Sequence, residues 1–327
     1  MQKRFLRTMV ASVLLTVVFV ACKKEKHTDV YVVGWESKEK RIVAKFWKNG
    51  IAQNLTDETM DAYAHSVFVS GNDVYVSGYE GSIAKFWKNG VAQNLTDGTF
   101  FATAHSIFVS GNDVYVAGCE RNEVGADVAV LWKNGIAQNL TGGKIFDEAD
   151  AYSVFVSGND VYVAGCERYI AKLWKNGVTQ NLTDGNNRAR ATSVYVSGKD
   201  VYVAGYEFKE NENSIAVLWK NGIAQNLTNE TKGVSAYSVF VSGKDVYVAG
   251  SEGYIAKLWK NGVATNLTGG TYATSVFVLN KDVYVTGVDF DMYGDRNSNT
   301  AKLWKNGVVQ NLTDGENMAG VSCVFVK

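Results

Sequence analysis

Proline is absent from the 327 residues of the chain, although about 5% of the residues of an average protein are proline. The sequence repeats described below all share this lack. We interpret it as the result of recent amplification of one proline-free unit.

Cysteine is scarce, and its distribution argues against a disulfide framework. The four cysteines are Cys22, Cys119, Cys166 and Cys323, and setting aside Cys22 in the N-terminal segment leaves an odd number. Cys119 and Cys166 occupy the same position of neighbouring repeats. In a ring of repeats, such positions lie farther apart than the ~7 Å limit on Cα separation for a disulfide. We therefore expect buried free thiols.

Neither sign of charge is in excess, since 33 Lys and Arg residues balance 33 Asp and Glu residues. Removal of the N-terminal leader predicted below leaves 30 basic and 33 acidic residues. Nucleic-acid-binding surfaces are basic, so no nucleic-acid partner is expected. The chain also lacks a nucleophile motif, a cofactor fingerprint and a metal-spacing motif. We therefore predict no cofactor, no metal site and no catalytic residue.

The dominant feature that is present is the motif WKNG, which occurs seven times. Its tryptophans are Trp47, Trp87, Trp132, Trp174, Trp219, Trp259 and Trp304. The intervals between them are 40, 45, 42, 45, 40 and 45 residues. Such a period is typical of propeller blades and similar repeats.

Each repeat reads as four short strands, here A to D. In the second repeat these are SVFV from Ser66, DVYVSG from Asp73, IAKFW from Ile83 and VAQNLT from Val91. Gly71-Asn72 and Asn89-Gly90 separate strands, and two-residue loops of this composition indicate antiparallel hairpins. Strands A to C are apolar at nearly every position, which predicts burial on both faces. The NLT triplet that ends strand D matches the N-glycosylation pattern, but its recurrence favours strand-end hydrogen bonding.

The two ends of the chain complement each other. DVYV also occurs seven times, but the first copy, at Asp29, has no strand A before it. Cys323 to Val326 have the register of SVFV and no strands after them. A ring closed by this strand leaves no exposed sheet edges, whereas a linear solenoid would carry capping repeats. We predict an all-β, seven-bladed β-propeller over residues 29–327, in which the C-terminal strand completes blade 1.

Residues 1–21 have the pattern of a signal peptide. Lys3, Arg4 and Arg7 precede an apolar run from Thr8 to Val20, which is shorter than the ~20 residues of a membrane-spanning helix. The segment that ends at Cys22 resembles a bacterial lipobox, which implies lipidation of Cys22, with ordinary cleavage as the alternative. Residues 22–28 would form a tether. Because lysine rather than aspartate follows the cysteine, we expect an outer-membrane or cell-surface position.

Strands B and C of the fifth repeat, Val201 to Leu218, contain VYVAGY followed by AVL, and the other six repeats carry variants of this pattern such as VYVSGY with AKF and VYVAGC with AKL. This pattern resembles bacterial β-propeller repeats of the seven-bladed kind. The resemblance implies the fold and says little of function, because propellers serve many functions.

Variation between repeats indicates where function lies. The A–B and C–D turns share one end of the blades, the turn face, and are nearly invariant. The B–C and D–A loops share the other end, the loop face, and hold almost all the variation. Loops on a rigid scaffold carry binding, so the site is expected on the loop face.

Two rings of repeated residues are expected near the loop face. The first consists of six serines and Cys323 at the start of SVFV; the second consists of six glutamates and Asp289 at the end of strand B. The carboxylates could concentrate cations or supply an acid and a base, but their repetition in every blade favours a structural role. Pairing with the lysines of strand C is one such role, although it cannot be the whole explanation because Val130 and Val217 replace the lysine in blades 3 and 5.

The residue before SVFV differs between blades. It is His65 and His105 in blades 2 and 3, and Tyr152 and Tyr237 in blades 4 and 6. We predict a ligand-binding site formed by these four residues, with two arginines, Arg188 and Arg190, contributing if the ligand is acidic. Two histidines without a third ligand do not predict a metal site. The blade 7 loop, residues 289–297, partly resembles a calcium loop, but Tyr293 replaces one oxygen ligand and the bidentate glutamate is missing, so the loop is interpreted as solvated.

These observations predict a non-enzymatic surface binding or scaffold protein, with a glycan or protein ligand on the loop face. The alternative is a polysaccharide-active enzyme, either a lyase or a hydrolase, on a propeller scaffold, and a third possibility is a purely structural surface protein. We expect a monomer that contacts the membrane only through its N-terminal lipid.

Overall fold

A computed structural model describes residues 28–39, 41–145, 147–210, 213–290 and 299–327. These residues form seven four-stranded antiparallel sheets, the blades. The predicted signal peptide, Cys22 and most of the blade 7 loop lie outside the described residues. Within the described ranges, no helix has the length and hydropathy needed to cross a membrane.

The strands are numbered in chain order. Those of blades 1 to 3 are β1 (Val30–Lys38), β2 (Arg41–Lys48), β3 (Ile51–Asn54), β4 (Ala62–Ser70), β5 (Asp73–Glu80), β6 (Ile83–Lys88), β7 (Val91–Asn94), β8 (Ala102–Ser110), β9 (Asp113–Arg121), β10 (Asp127–Lys133) and β11 (Ile136–Asn139). Those of blades 4 and 5 are β12 (Ala149–Ser157), β13 (Asp160–Glu167), β14 (Ile170–Lys175), β15 (Val178–Asn181), β16 (Ala189–Ser197), β17 (Asp200–Phe208), β18 (Ser214–Lys220) and β19 (Ile223–Asn226). Those of blades 6 and 7, with the closing strand, are β20 (Ser235–Ser242), β21 (Asp245–Glu252), β22 (Ile255–Lys260), β23 (Val263–Asn266), β24 (Tyr272–Leu279), β25 (Asp282–Phe290), β26 (Asn299–Lys305), β27 (Val308–Asn311) and β28 (Ala319–Val326).

The ring is closed by the C-terminal strand, as predicted. Blade 1 has the strand order β28-β1-β2-β3. In its register Val324 lies opposite Val32 and Phe325 lies opposite Tyr31. Strand β28 also contacts β24 of blade 7 and β4 of blade 2. The two chain ends therefore share one sheet that lies between the blades on either side.

The invariant turn face is explained by one repeated hydrogen-bond network. In blade 2 the side chain of Asn89, which has a φ of 51°, accepts the amide of Val74 at 2.9 Å and donates to Asp73 at 2.8 Å. Lys88 pairs with Asp73 at 2.9 Å and lies 5.3 Å from the centroid of the Tyr75 ring. The other six blades have the same hydrogen bonds and ion pair. The motifs WKNG and DVYV are therefore requirements of the fold.

The core consists of seven apolar clusters, each between two neighbouring blades. Every tryptophan of a WKNG motif is at most 2% exposed. Trp174, for example, packs with Val154 and Val163 of its own blade and with Tyr115 and Leu131 of blade 3. Burial between blades explains why strands B and C are so apolar. Strand A was predicted to be buried on both faces, but it alternates between buried and partly exposed residues because one of its faces is directed towards the axis.

The NLT triplets stabilise strand ends. The hydroxyl of Thr96 accepts the amide hydrogen of Ala84 at 3.1 Å, and the same contact recurs in blades 1, 3, 4, 5 and 7. This pattern agrees with our interpretation of NLT as a strand-end motif.

Each strand A carries a β-bulge one residue before the SVFV-like segment. In blade 2 the register shifts between Ala64 and Ser66, so that His65 is the extra residue. Gly78 lies opposite, and a Cβ atom at Gly78 would lie 1.9 Å from the carbonyl oxygen of Tyr63. Strand B therefore needs glycine here. A bulge redirects a side chain. The bulge residues of the seven blades are therefore the starting point for the candidate site described below.

Candidate functional site

The seven bulge residues lie around the axis of the ring, near the loop face. They are His65, His105, Tyr152, Thr192, Tyr237, Thr274 and Ser322. Neighbours are in contact, since the rings of His65 and His105 lie 5.3 Å apart and those of His105 and Tyr152 lie 5.4 Å apart. The predicted adjacency of the two histidines is therefore present.

All seven bulge residues line one cavity of about 440 Å³, here the axial cavity. The other residues that line it include Trp35, Arg190, Tyr206, Val288 and Phe290. Five of the six predicted ligand-binding residues thus lie in one cavity. Trp35 and Tyr206 were not predicted, although both follow the strand B glycine, where the residue type differs between blades.

Arg188, the sixth predicted residue, lies outside the axial cavity. Its guanidinium pairs with Glu148 at 3.5 Å and lies 6.0 Å from the ring of Tyr169 and 5.7 Å from the ring of Phe208. With Arg190 and Arg168 it lines a neighbouring cavity of about 110 Å³. Tyr152 and Arg190 line both cavities, so Arg188 lies next to the axial cavity but does not line it.

Arg190 is the positive charge of the axial cavity. Its guanidinium carbon lies 5.7 Å from the centroid of the Tyr152 ring, and its buried Nε has no hydrogen-bond partner in the part of the chain that the structure describes. Among the described residues, no carboxylate lies within ion-pair distance of Arg190. A guanidinium in this state is suited to bind an acidic group, because arginine binds carboxylates through two parallel hydrogen bonds.

Burial favours the uncharged forms of three rings of the axial cavity. It raises the pKa of Tyr152 strongly and that of Tyr237 to about 12. Burial, together with the neighbouring His105, lowers the pKa of His65 to about 3. The cavity wall thus combines these three neutral rings with the charge of Arg190.

A buried polar group lies beside His105, between blades 3 and 4. Nε2 of His105 is 3.0 Å from Oδ1 of Asp150, and Sγ of Cys119 lies within 4.8 Å of a ring nitrogen of His105 and of a carboxylate oxygen of Asp150. Burial raises the pKa of the Cys119 thiol, and the charge of Asp150 adds to this effect. Burial opposes ionisation of Asp150, but His105 and Cys119 together hold its pKa below the usual value. Our sequence interpretation missed Asp150, and it considered Cys119 only as a buried thiol.

A second ring around the axis consists of the aromatic residues of the SVFV-like segments. Neighbouring ring centroids lie 4.7 to 5.2 Å apart. The seven residues are Phe68, Phe108, Phe155, Tyr195, Phe240, Phe277 and Phe325. Because strand A runs from the loop face to the turn face, this ring surrounds the axis on the turn side of the bulge residues.

The two repeated rings predicted near the loop face have structural roles. Each strand C lysine pairs with the acid of its own blade, at 2.5 to 3.5 Å. Glu207, whose blade has no such lysine, pairs with Lys209 at 2.9 Å. The serines join neighbouring blades, as when Ser106 Oγ accepts the amide hydrogen of Val154 at 3.2 Å. The structural interpretation of the acidic ring is therefore supported.

The cysteines of the described residues are free, as expected. Cys119 and Cys166 are buried, and Cys323 is partly buried. The hydroxyl of Tyr152 lies 3.8 Å from Sγ of Cys166.

Comparison with known proteins supports the fold. No family model and no curated protein matches the sequence. Among solved structures, a puromycin-hydrolyzing peptidase of Mycobacterium tuberculosis matches at a TM-score of 0.57 and 12% identity, over 88% of this chain and 53% of that one. A prolyl endopeptidase matches at a TM-score of 0.50 and 12% identity, over 89% of this chain and 50% of that one. The chain thus spans about half the length of these two proteins. Its seven four-stranded sheets define it as a seven-bladed β-propeller.

The partly buried His65 is expected to make stability depend on pH. The unfolded chain protonates this imidazole below its ordinary pKa of 6.5, whereas the folded chain does so only near 3. The unfolded state therefore binds more protons between these values, and the free energy of unfolding falls as pH falls. The limiting slope from one such group is about 1.4 kcal/mol per pH unit. Urea unfolding at pH 7 and pH 5 should show a smaller pH effect in His65→Thr, which carries the residue of blades 5 and 7. An identical pH effect in both proteins would contradict a partly buried, neutral His65.

Proposed function

We propose that this protein is a non-enzymatic binding propeller that holds a single ligand over its axial cavity on the loop face. The observation that carries the proposal is the asymmetry of the cavity wall. Seven equivalent positions supply two histidines, two tyrosines, two threonines and one serine. One distinctive wall on a rigid ring suits one specific ligand.

The composition of the wall favours an acidic glycan as the ligand. Trp35 and Tyr237, which are partly exposed, offer aromatic surface that can stack on sugar rings. Arg190 adds a cation without a carboxylate partner among the described residues, and the nearby Arg188 adds a second positive charge. A protein that presents an acidic side chain is the other ligand with this chemistry.

The turn face is a poor alternative for this ligand. Its lysines, such as Lys48, are already paired with the first aspartate of DVYV. The same arrangement recurs in every blade, so any ligand there would meet seven near-equivalent sites. The loop face is therefore the better binding site for a single specific ligand.

We further propose display at the outer membrane or cell surface through a lipid on Cys22. The support is the sequence of residues 1–22, with its basic start, short apolar run and lipobox-like end. Incorporation of labelled fatty acid that is lost in Cys22→Ser would support the anchor. Equal labelling of the variant would contradict it.

A polysaccharide lyase or hydrolase is the competing function. The strongly raised pKa of Tyr152 disfavours this phenol as a general base, since a base is effective when its pKa is near the working pH. Turnover of any member of a polysaccharide panel by the purified protein would replace the binding proposal with this one.

The binding proposal is tested with an array of acidic and neutral glycans, followed by titration of the best binder. The variant Arg190→Gln combined with Tyr237→Ala should weaken binding at least tenfold, which corresponds to about 1.4 kcal/mol. Lys48→Ala, on the turn face, should bind like the parent. A stoichiometry near seven per chain, or equal losses from both faces, would move the site to the repeated surface.

A further inference from the structure

We propose that His105, Cys119 and Asp150 form a binding site for one divalent transition-metal ion, best suited to zinc, at the junction of blades 3 and 4. This site is separate from the ligand proposal, because metal binding requires neither a glycan nor Arg190.

The geometry of the three donor atoms carries the inference. A ring nitrogen of His105, Sγ of Cys119 and one carboxylate oxygen of Asp150 all lie within 4.8 Å of one another. Nε2 of His105 and Oδ1 of Asp150 face each other at 3.0 Å. Both atoms are buried, yet neither makes a hydrogen bond of good geometry with the described part of the chain. Buried polar atoms are nearly always hydrogen-bonded, so this contact, which lacks hydrogen-bond geometry, leaves a lone pair on each atom available to a metal ion.

The combination of residues occurs once in the ring. His105 is the bulge residue of blade 3, Cys119 follows the strand B glycine of the same blade, and Asp150 lies two residues before the bulge of blade 4. At the next junction the equivalent residues are Tyr152, Cys166 and Arg190, where an arginine replaces the carboxylate. A group required only by the fold would recur, as the turn-face network does in all seven blades.

The donor set favours zinc among the common metals. Imidazole nitrogen, thiolate sulfur and carboxylate oxygen are all zinc ligands, at about 2.0 to 2.3 Å from the ion. Ideal tetrahedral ligands at these distances lie about 3.3 to 3.8 Å apart, so small side-chain rotations would complete the site. A bound metal ion deprotonates a coordinating thiol, which overcomes the effect of burial on Cys119. The thiolate and the carboxylate together would balance the two charges of the ion.

Three protein donors leave the fourth position of a zinc ion open. His105 lines the axial cavity and Asp150 lines the smaller cavity beside it. Water or a ligand oxygen could therefore complete the coordination from either cavity.

The test uses cobalt(II) and zinc on the purified protein with no glycan present. We expect one cobalt ion per chain and a thiolate-to-cobalt charge-transfer band in the near ultraviolet. Cys119→Ser should lose this band and bind zinc at least tenfold more weakly, and Asp150→Asn should also bind at least tenfold more weakly. Cys166→Ser is the matched control, because it removes the equivalent thiol of the next blade, and it should keep the band and the affinity.

Circular dichroism and thermal unfolding of each variant establish that it is folded, and the wild-type band decides thiolate ligation even if one variant fails to fold. Absence of the band in the wild type would overturn the proposal, as would its loss in Cys166→Ser or unchanged zinc affinity in folded Cys119→Ser. Arg190→Gln with Tyr237→Ala should retain cobalt binding. If the protein binds glycan but not cobalt, only the metal-site proposal is refuted. If it binds cobalt but no glycan, only the ligand proposal is refuted.

Discussion

Deletion of residues 322–327 is expected to abolish the folded monomer. These residues form most of β28, which pairs with β1 from Cys323 to Val326. Val324 and Val326 also belong to the apolar cluster between blades 7 and 1. Phe325 lies between Phe277 and Phe68 in the aromatic ring, at 4.9 and 5.2 Å. The deletion therefore leaves an unpaired edge on β1 and removes packing for both neighbouring blades.

An unpaired apolar edge is a template for aggregation, so the truncated chain should aggregate or melt at a much lower temperature. Size-exclusion chromatography and thermal unfolding would measure these changes. A synthetic peptide of residues 319–327 should restore part of the lost stability by filling the vacant edge, whereas a peptide with the same residues in scrambled order should not. A truncated monomer with the melting curve of the full chain would show that ring closure contributes little.

The fold could be predicted from the sequence because local and global signals agree. The two-residue turns, the seven WKNG motifs and the unmatched first DVYV all specify the same ring, and the C-terminal strand completes it. Local consistency of this kind is typical of sequences with one well-defined structure. The repetition also separated fold from function, because the residues that every blade shares proved to be those that hold the blade together.

The site was predicted only in part, and the reason lies in the bulge. Position in the repeat was enough to indicate His65, His105, Tyr152 and Tyr237, since these residues break the pattern at one place. It was not enough to place Asp150 against His105, because that contact crosses from one blade to the next and depends on how the bulge redirects the side chain. Arg188 and Arg190 are two residues apart, so sequence alone did not separate the arginine inside the axial cavity from the one beside it.

The aromatic ring was missed for the opposite reason. The aromatic residue of the SVFV-like segment occurs in every blade and was attributed to a strand buried on both faces. Strand A instead alternates between buried and partly exposed residues, as in β4, where Val67 and Val69 are buried and Phe68 is partly exposed. One face of the inner strand is directed towards the axis. An aromatic residue repeated at one position of every strand A was therefore itself the signal for an aromatic ring around the axis.

Replacement of Trp174 by alanine is expected to destabilise the protein by about 3 to 5 kcal/mol, the usual cost of removing a large buried aromatic side chain. Trp174 has no exposed surface. It fills the junction of blades 3 and 4 together with Tyr115, Leu131 and Val163. The cavity left by alanine would lie between two rigid sheets that close around a ring, so the surrounding structure has little freedom to collapse into it.

Two other variants separate packing from hydrogen bonding and from tryptophan content. The indole nitrogen of Trp174 has no hydrogen-bond partner among the described residues, so Trp174→Phe should cost less than Trp174→Ala because only volume is lost. Trp35→Ala removes the one tryptophan outside the WKNG motifs, which is partly exposed in the axial cavity, and should destabilise the protein less. Urea unfolding of the three variants gives the ranking. A Trp174→Ala protein as stable as Trp35→Ala would mean that the junctions between blades contribute less to stability than their complete burial implies.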